Sequence, residues 1–294
     1  MQYSISMLVP FEMDSFSSNL LEQVTPLLTR LESDYYNTKL KVTINHFIVA
    51  VAVSWANPFH PHAEYFKIYL DDSVEESSEL KNQLLEMLEN SPSFTADRFI
   101  YSLMNDQTSM IRSLESSHYE LIRKTYEPTW TINHCVSKFT ISPYTNILSY
   151  KEAFQQEVLK KELITLLKHN YENTHLVNPA TDMSLQEWET FLIDEAPDMD
   201  LSLVALDDKG ITAYITTFRS DTTIEIAWVG MREAHPSSFL LLNSLFKTQL
   251  LLFEQHGIRS VEPEIDTTDH FVSGLFSSMD YLEKDCLLTY RKFI

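Results

Sequence analysis

The chain has 294 residues, enough for two domains of ordinary size, and its 44% hydrophobic and 12% aromatic content is that of a globular protein. Acidic residues outnumber basic ones, 42 against 22, for a formal charge of −20. Such a field repels nucleic-acid phosphates and anionic membranes and attracts cations, amines among them, so neither nucleic acid nor membrane is expected as a partner.

Two cysteines, Cys135 and Cys286, form neither a disulfide framework nor a metal-type cluster, which fits a reducing cytoplasm. The first residues carry no basic start and no long apolar core, so no signal peptide is expected. The most apolar stretch, 46–55, is too short to cross a bilayer. All four glycines, Gly210, Gly230, Gly257 and Gly274, lie in the second half, leaving the first half without material for a glycine-rich phosphate loop.

In chain order, a strand is expected over 4–11. A helix follows over 17–32, with Leu20, Leu21, Val24, Leu27, Leu28 and Leu31 at helical spacing across Pro26. β-rich stretches at 39–44 and 46–55 lead to a turn at 56–62 and a strand at 64–70. An amphipathic helix spans 77–89, with Leu80, Leu84, Leu85 and Leu88 on one face. A strand at 98–104, a helix at 108–115 and a strand at 119–126 close the first half. His60, His62 and Glu64 alternate as metal ligands could, but the prolines around them read as a polar turn, and no metal is expected.

The second half repeats that order. A helix over 154–168 precedes a polar loop at 169–182 and a short helix at 184–193, where Ser184 and Glu187 have capping-box spacing. Strands at 201–206 and 211–218 flank the turn Asp207-Asp208-Lys209-Gly210. A long strand at 223–231 leads to an apolar helix at 238–255, with Ser237 or Ser238 as its cap and Gly257 at its stop. A strand at 260–265, a helix at 270–277 and a strand at 286–292 finish the chain. At a constant offset of 162, 64–70 falls on 226–232, 98–104 on 260–266, and Tyr119 on Tyr281. The chain therefore reads as an internal duplication with its seam between 126 and 151. Two α/β domains are expected, 1–135 and 136–294, each a mixed, mostly antiparallel central sheet flanked by helices.

Strand, hairpin, long strand, loop, apolar helix, strand, short helix, strand: that order, with Asp269, Val272, Leu275, Phe276, Met279, Asp280 and Tyr281 in the tail, resembles the GNAT N-acetyltransferases. Tyr290, Arg291 and Lys292 close the chain as that family's last strand does. The resemblance covers about 140 residues of the second half well and the first half only in spacing, through Gln107, Met110, Leu114 and Tyr119. It implies acetyl-CoA as cosubstrate and acyl transfer to an amine, with a small amine favoured by the acidic balance. A non-catalytic binding protein, or an acyl-CoA sensor, is the alternative on the same fold.

Amine acetylation needs a deprotonated amine, a polarised thioester carbonyl and a proton for the leaving thiolate. Family geometry puts the first contacts of the acyl arm at Trp228, Val229, Gly230 and Met231, with Gly230 accommodating a bulge. Strict alternation puts Glu225, Ala227 and Val229 on one face and Ile224, Ile226 and Trp228 on the other; the family's base is often a carboxylate on this strand, so the resemblance makes Glu225 the candidate base. Members of the family hold the CoA pyrophosphate in a loop Arg/Gln-x-x-Gly-x-Gly/Ala. Here 231–239 has no glycine but offers Arg232, His235, Ser237 and Ser238 at a helix start. An ordinary capped helix would look the same. The matching stretch of the first half carries Asp71, Asp72, Glu75 and Glu76 where phosphates would sit, so that half is expected not to bind CoA. The family's thiolate acid, a tyrosine, falls on Phe276, and its usual asparagine on Asp269. His169, Asn173 and His175, in the polar loop that also holds Asp182, are the candidate acceptor contacts.

Overall fold

The computed structural model describes residues 3–8, 15–91, 96–233, 236–281 and 285–293, with the side chains of 236–238 excepted. It divides the chain into two compact units. The first comprises Met1–Arg123, Val177–Thr181 and Leu287–Ile294; the second comprises Lys124–Leu176 and Asp182–Cys286.

The first unit runs through β1 (Ser4–Met7), α1 (Ser18–Val24), α2 (Leu28–Glu32), β2 (Thr38–Ile44), β3 (Phe47–Ala56), β4 (Ala63–Leu70), α3 (Ser78–Glu89), β5 (Arg98–Met104), α4 (Thr108–Ser116) and the start of β6 (Glu120–Tyr126), within which the unit boundary falls. In the second follow β7 (Trp130–Thr131), α5 (Ile132–Lys138), β8 (Ile147–Ser149), α6 (Tyr150–Phe154), α7 (Glu157–Thr174) and α8 (Leu185–Asp194). Next come β9 (Leu203–Asp207), β10 (Gly210–Ser220), β11 (Thr223–Met231), α9 (Pro236–Gln255), β12 (Ser260–Pro263), β13 (Ile265–Asp266) and α10 (His270–Leu275). The chain then returns to the first unit as β14 (Leu287–Phe293). Among the described residues no helix is long and apolar enough to cross a membrane.

Strand order in the first unit is β1-β2-β3-β4-β5-β14-β6, and in the second β7-β12-β11-β10-β9-β8. Both sheets are mostly antiparallel, with one parallel pair each: β4 with β5, and β11 with β12. This is the mixed, helix-flanked architecture expected twice over.

Each sheet is completed by a strand from the other half of the sequence. β14 pairs with β5 from Leu287↔Met104 to Phe293↔Arg98. Its Tyr290 is buried and its hydroxyl donates to Glu115, while Lys292 reaches Glu89 at 2.8 Å. Arg291 donates to the Val177 carbonyl and pairs with Glu120. In return, β7 pairs with β12 through Trp130↔Val261 and Thr131↔Ser260. The units accordingly part at Arg123/Lys124, not at 135/136, and neither is a continuous piece of chain.

Two helices depart from expectation. The helix expected over 17–32 breaks into α1, a 3-10 turn Thr25–Leu27 and α2, because Pro26 has no N–H to donate and crowds the preceding turn. Helix α7 continues to Thr174, six residues past the expected end. Its buried stripe goes on from Leu163 and Leu167 through Asn170 and Thr174, so polar residues occupy core positions there.

Because β14 completes the first sheet, a fragment of residues 1–135 is expected to show no cooperative thermal transition by circular dichroism. Adding a peptide of residues 285–294 should restore one; cooperative melting of the fragment alone would count against the exchange.

Candidate active site

The parallel ladder of β11 and β12 runs from Thr223↔Ser260 to Ile226↔Pro263, and the Glu264 N–H closes it on the Ile226 carbonyl at 3.0 Å. Beyond Ile226 that edge of β11 has no paired strand among the described residues. On its other edge the β10 register jumps from Thr217↔Ile226 to Thr216↔Trp228, so Ala227 is bulged out. The first unit opens similarly: β4 and β5 pair only from Ala63↔Arg98 to Tyr65↔Ile100.

The bulge corrects the expected faces. Residues directly opposite share a face, so Glu225 (opposite Phe218), Trp228 (opposite Thr216) and Gly230 (opposite Tyr214) lie together. Val229 and Met231 join Ile224 and Ile226 as buried residues on the other face. The irregularity falls at Ala227, not at Gly230. Gly230 has a different duty: a Cβ there would stand 2.2 Å from Asn170 Nδ2 and 2.5 Å from the Tyr214 hydroxyl. Asn170 also donates to the Met231 carbonyl at 3.2 Å.

On the Glu225 face the half-buried rings of Phe191, Phe218 and Trp228 form a wall, with Trp228 5.8 Å from each of the other two. Glu225 is exposed at its edge. Partial burial of its carboxyl, then the carboxylates of Glu127, Glu262 and Glu195, push it above the usual glutamate range. None of these partners was singled out from sequence. The signal for the bulge was there, because the large apolar residues Ile224, Ile226, Val229 and Met231 keep one face only if a residue between 226 and 229 is extra.

Further along the same face, the fully buried Tyr214 phenol is raised by burial and next by Tyr150, whose own hydroxyl bonds Thr216 at 2.6 Å. Asp269 caps α10, its Oδ1 accepting from the N–H groups of Phe271 and Val272 at 2.8 and 3.2 Å. Burial, opposed by those two hydrogen bonds, leaves its carboxyl raised to about 6. Phe276, matched to the family's tyrosine, is wholly buried among Trp130, Phe139 and Phe246, with the nearest ring at 5.3 Å. It is a core residue.

Arg232 is committed: its guanidinium pairs with Glu162 and Asp207, both at 3.2 Å, and donates to the Ile211 carbonyl. It shares a groove of about 640 Å³ with His169, Val158, Leu166 and Ile211. His169 and Asn173 lie on α7, not in a loop; Asn173 Nδ2 donates to the His169 carbonyl at 2.8 Å. His175 ends the helix and stacks on Tyr171 at 3.7 Å. His235 and the side chains of Ser237 and Ser238 lie outside the described residues. Among the described residues His60, His62 and Glu64 form no metal-type cluster: the Glu64 carboxylate accepts from Asn37 at 2.7 Å, and His60 Nδ1 faces the Pro179 carbonyl.

In the first unit the Tyr101 hydroxyl lies 3.4 Å from both the N–H and the carbonyl of Ile68, between the diverging strands. Ile68 is the residue that the offset of 162 puts on Gly230. The adjoining cleft of about 240 Å³ is lined by Asp72, Glu75 and Glu76, with buried Lys81 bonded to Ser109.

No protein-family model matches the sequence, and no curated protein matches it significantly. The fold is nonetheless matched over nearly the whole chain by solved structures. A GCN5-related N-acetyltransferase from Sphaerobacter thermophilus is 15% identical, with 99% of this chain and 95% of that one covered at a TM-score of 0.61. A tandem GNAT protein from the clavulanic acid biosynthesis pathway is 7% identical, with 99% and 98% covered at 0.56. A GNAT-family acetyltransferase from Colwellia psychrerythraea is 8% identical, with 99% and 100% covered at 0.54. At these identities the likeness shows the fold: the GNAT acetyltransferase fold, carried twice.

Gly230→Ala is expected to lower stability by about 1–3 kcal/mol in urea unfolding, since Asn170 and Tyr214 must both move. An unchanged midpoint would refute that packing. Asp269 binds its proton more tightly folded than unfolded, so its contribution is fully present below pH 3.8 and is lost as pH rises through about 6. Asp269→Asn keeps the cap and should be more stable than the parent by about 1–3 kcal/mol at pH 7.5, the gain vanishing near pH 4. A variant less stable at both pH values would contradict this.

Proposed function

We propose, on the tandem GNAT fold, that the second unit is an acetyl-CoA-dependent N-acetyltransferase acting on a small cationic amine. The observation that carries this reading is the open edge of β11 beside the Ala227 bulge: beyond Ile226 the strand keeps its β10 partner but has no paired strand on the β12 side among the described residues. Such an edge fits an extended acyl-pantetheine arm, and its N–H groups suit a developing oxyanion. Bound there, acetyl-CoA would supply the activated acyl group. Residues 229–231, with Asp269 close by, are the contacts we assign to it, and Ser237 and Ser238 at the head of α9 are those we assign to its phosphates. Arg232 is already spent on Glu162 and Asp207, so its part is to brace the end of β11.

On the face beyond that edge, Phe191, Phe218 and Trp228 would stack against the acceptor, and Glu195, Glu225 and Glu262 would attract its ammonium. Glu225, raised by burial and by its neighbours, is the base we assign: it takes the ammonium proton so that the free amine can attack. Phe276, buried in the core, supplies no proton to the leaving thiolate, which departs without an acid from that position. His169, Asn173 and His175 on α7 remain secondary candidates for the acceptor. The first unit does not take part in the chemistry: Tyr101 fills its strand opening, and its cleft is acidic.

The glycine-free entry to α9 and the committed Arg232 favour one alternative, a fold-retaining binding protein without turnover. A thiol-release assay with acetyl-CoA and a panel of small primary amines separates the two. Glu225→Gln is expected to lower kcat/KM about a hundredfold and to abolish the rise of rate with pH that deprotonation of Glu225 governs. No turnover by the parent with any amine would support the binding protein, and equal turnover by the variant would remove Glu225 from the mechanism.

A further inference from the structure

On α7, Val158, Lys161, Glu162, Thr165, Leu166 and His169 recur at alternating steps of three and one, which sets them along one face of the helix. With Ile211 and Arg232 they line the groove of about 640 Å³, a volume ordinary for a small-molecule site. Its apolar part is Leu166, Ile211 and Val158. The Val158 side chain is 79% exposed on a helix that buries Leu163, Ile164, Leu166 and Leu167. The charges on this face are unequally committed. Glu162 Oε1 accepts from the Ile211 N–H at 2.9 Å and from Arg232, which also holds Asp207. Glu157, one turn before Lys161, pairs instead with Lys160 at 3.1 Å. The exposed Lys161 ammonium therefore has no partner among the described residues, although carboxylates stand one and four positions away in sequence. His169 Nε2 takes one N–H of Asn173 at 3.1 Å, and the His169 carbonyl takes another at 2.8 Å. A ring that accepts at Nε2 carries its proton on Nδ1, which meets no acceptor among the described residues.

The groove thus offers apolar surface and two uncommitted donors, one of them cationic, while its lining carboxylate is taken; the chain as a whole carries −20. That combination suits an apolar body with one anionic head. An amine would meet Lys161 as a like charge, and an inorganic anion would leave Val158, Leu166 and Ile211 uncovered. We propose that this groove is a second small-molecule site of the second unit, which takes a carboxylate with an apolar body, its head on Lys161 and its body along Val158 and Leu166. The site is independent of the acyltransferase reading. Its ligand is opposite in charge to the acceptor proposed above, and its lining includes neither the 227–231 edge nor the rings of Phe191, Phe218 and Trp228.

Ligand-detected NMR titration of the full-length protein with octanoate, octanamide and octylamine tests the site with one body and three heads. The parent should bind octanoate, bind the amide about fivefold more weakly, and bind the amine more weakly still. Lys161→Gln should remove the preference for acid over amide. Thr165→Trp, which fills the groove from an exposed position, should abolish binding of octanoate. Octanoate left unbound by the parent, or bound no better than the amide, would overturn the proposal without recourse to any variant. Binding unchanged by Thr165→Trp would also overturn it, because the ligand would then sit elsewhere. None of these outcomes depends on turnover with acetyl-CoA, so this site and the acyltransferase reading can fail separately.

Discussion

Four residue pairs hold β11 to β12, and a fifth does not form. The site depends on that interruption. A continued ladder would consume the N–H and carbonyl groups of 227–231 that face away from β10, since buried backbone polar groups are almost always paired. Stopping it at Ile226↔Pro263 leaves those groups of 227–231 that face away from β10 to a side chain, water or a ligand. In the first unit the same opening is met by a side chain, the Tyr101 hydroxyl on both groups of Ile68. In the second unit Asn170 meets the Met231 carbonyl, while among the described residues no side-chain hydroxyl sits on both groups of one residue as Tyr101 does on Ile68; that difference supports the division of labour we propose.

The bulge at Ala227 turns the opening into a two-sided site. It moves Trp228 onto the face of Glu225 and sets both opposite β10, where Phe218 and Tyr214 stand. The carboxylates gathered there raise Glu225. Burial raises Asp269 into the range where it titrates near neutrality, at a cost to stability. Groups disfavoured in their charged form, beside unpaired backbone, are common features of sites and uncommon in a relaxed core. Completion of each sheet by the other half's strand, β14 in one and β7 in the other, ties the Glu115, Glu120 and Glu89 partners of the first unit to the last residues of the chain.

Much of this was legible in residue order. The strand at 223–231, the capping box of Ser184 and Glu187, and the apolar helix ending before Gly257 follow from periodicity and turn chemistry alone. The stretch 286–292 reads as a strand, but a strand's pattern says which face is buried and nothing about which sheet it joins. For α7 the pattern misled, because Asn170 and Thr174 occupy buried positions that polarity assigns to a loop. Spacing matched Phe276 to a catalytic tyrosine, whereas packing put its ring among three others in the core. Arg232 looked free for phosphate because its partners, Glu162 and Asp207, lie 70 and 25 residues away.

We propose that the open edge of β11 receives the acyl donor. Hydrogen–deuterium exchange of the whole chain, with and without acetyl-CoA, tests it most directly. Slowed exchange is expected at the amides of 227–231 and none at 66–70 of the first unit. Protection at 66–70, or no protection at 227–231 under saturating acetyl-CoA, would contradict it.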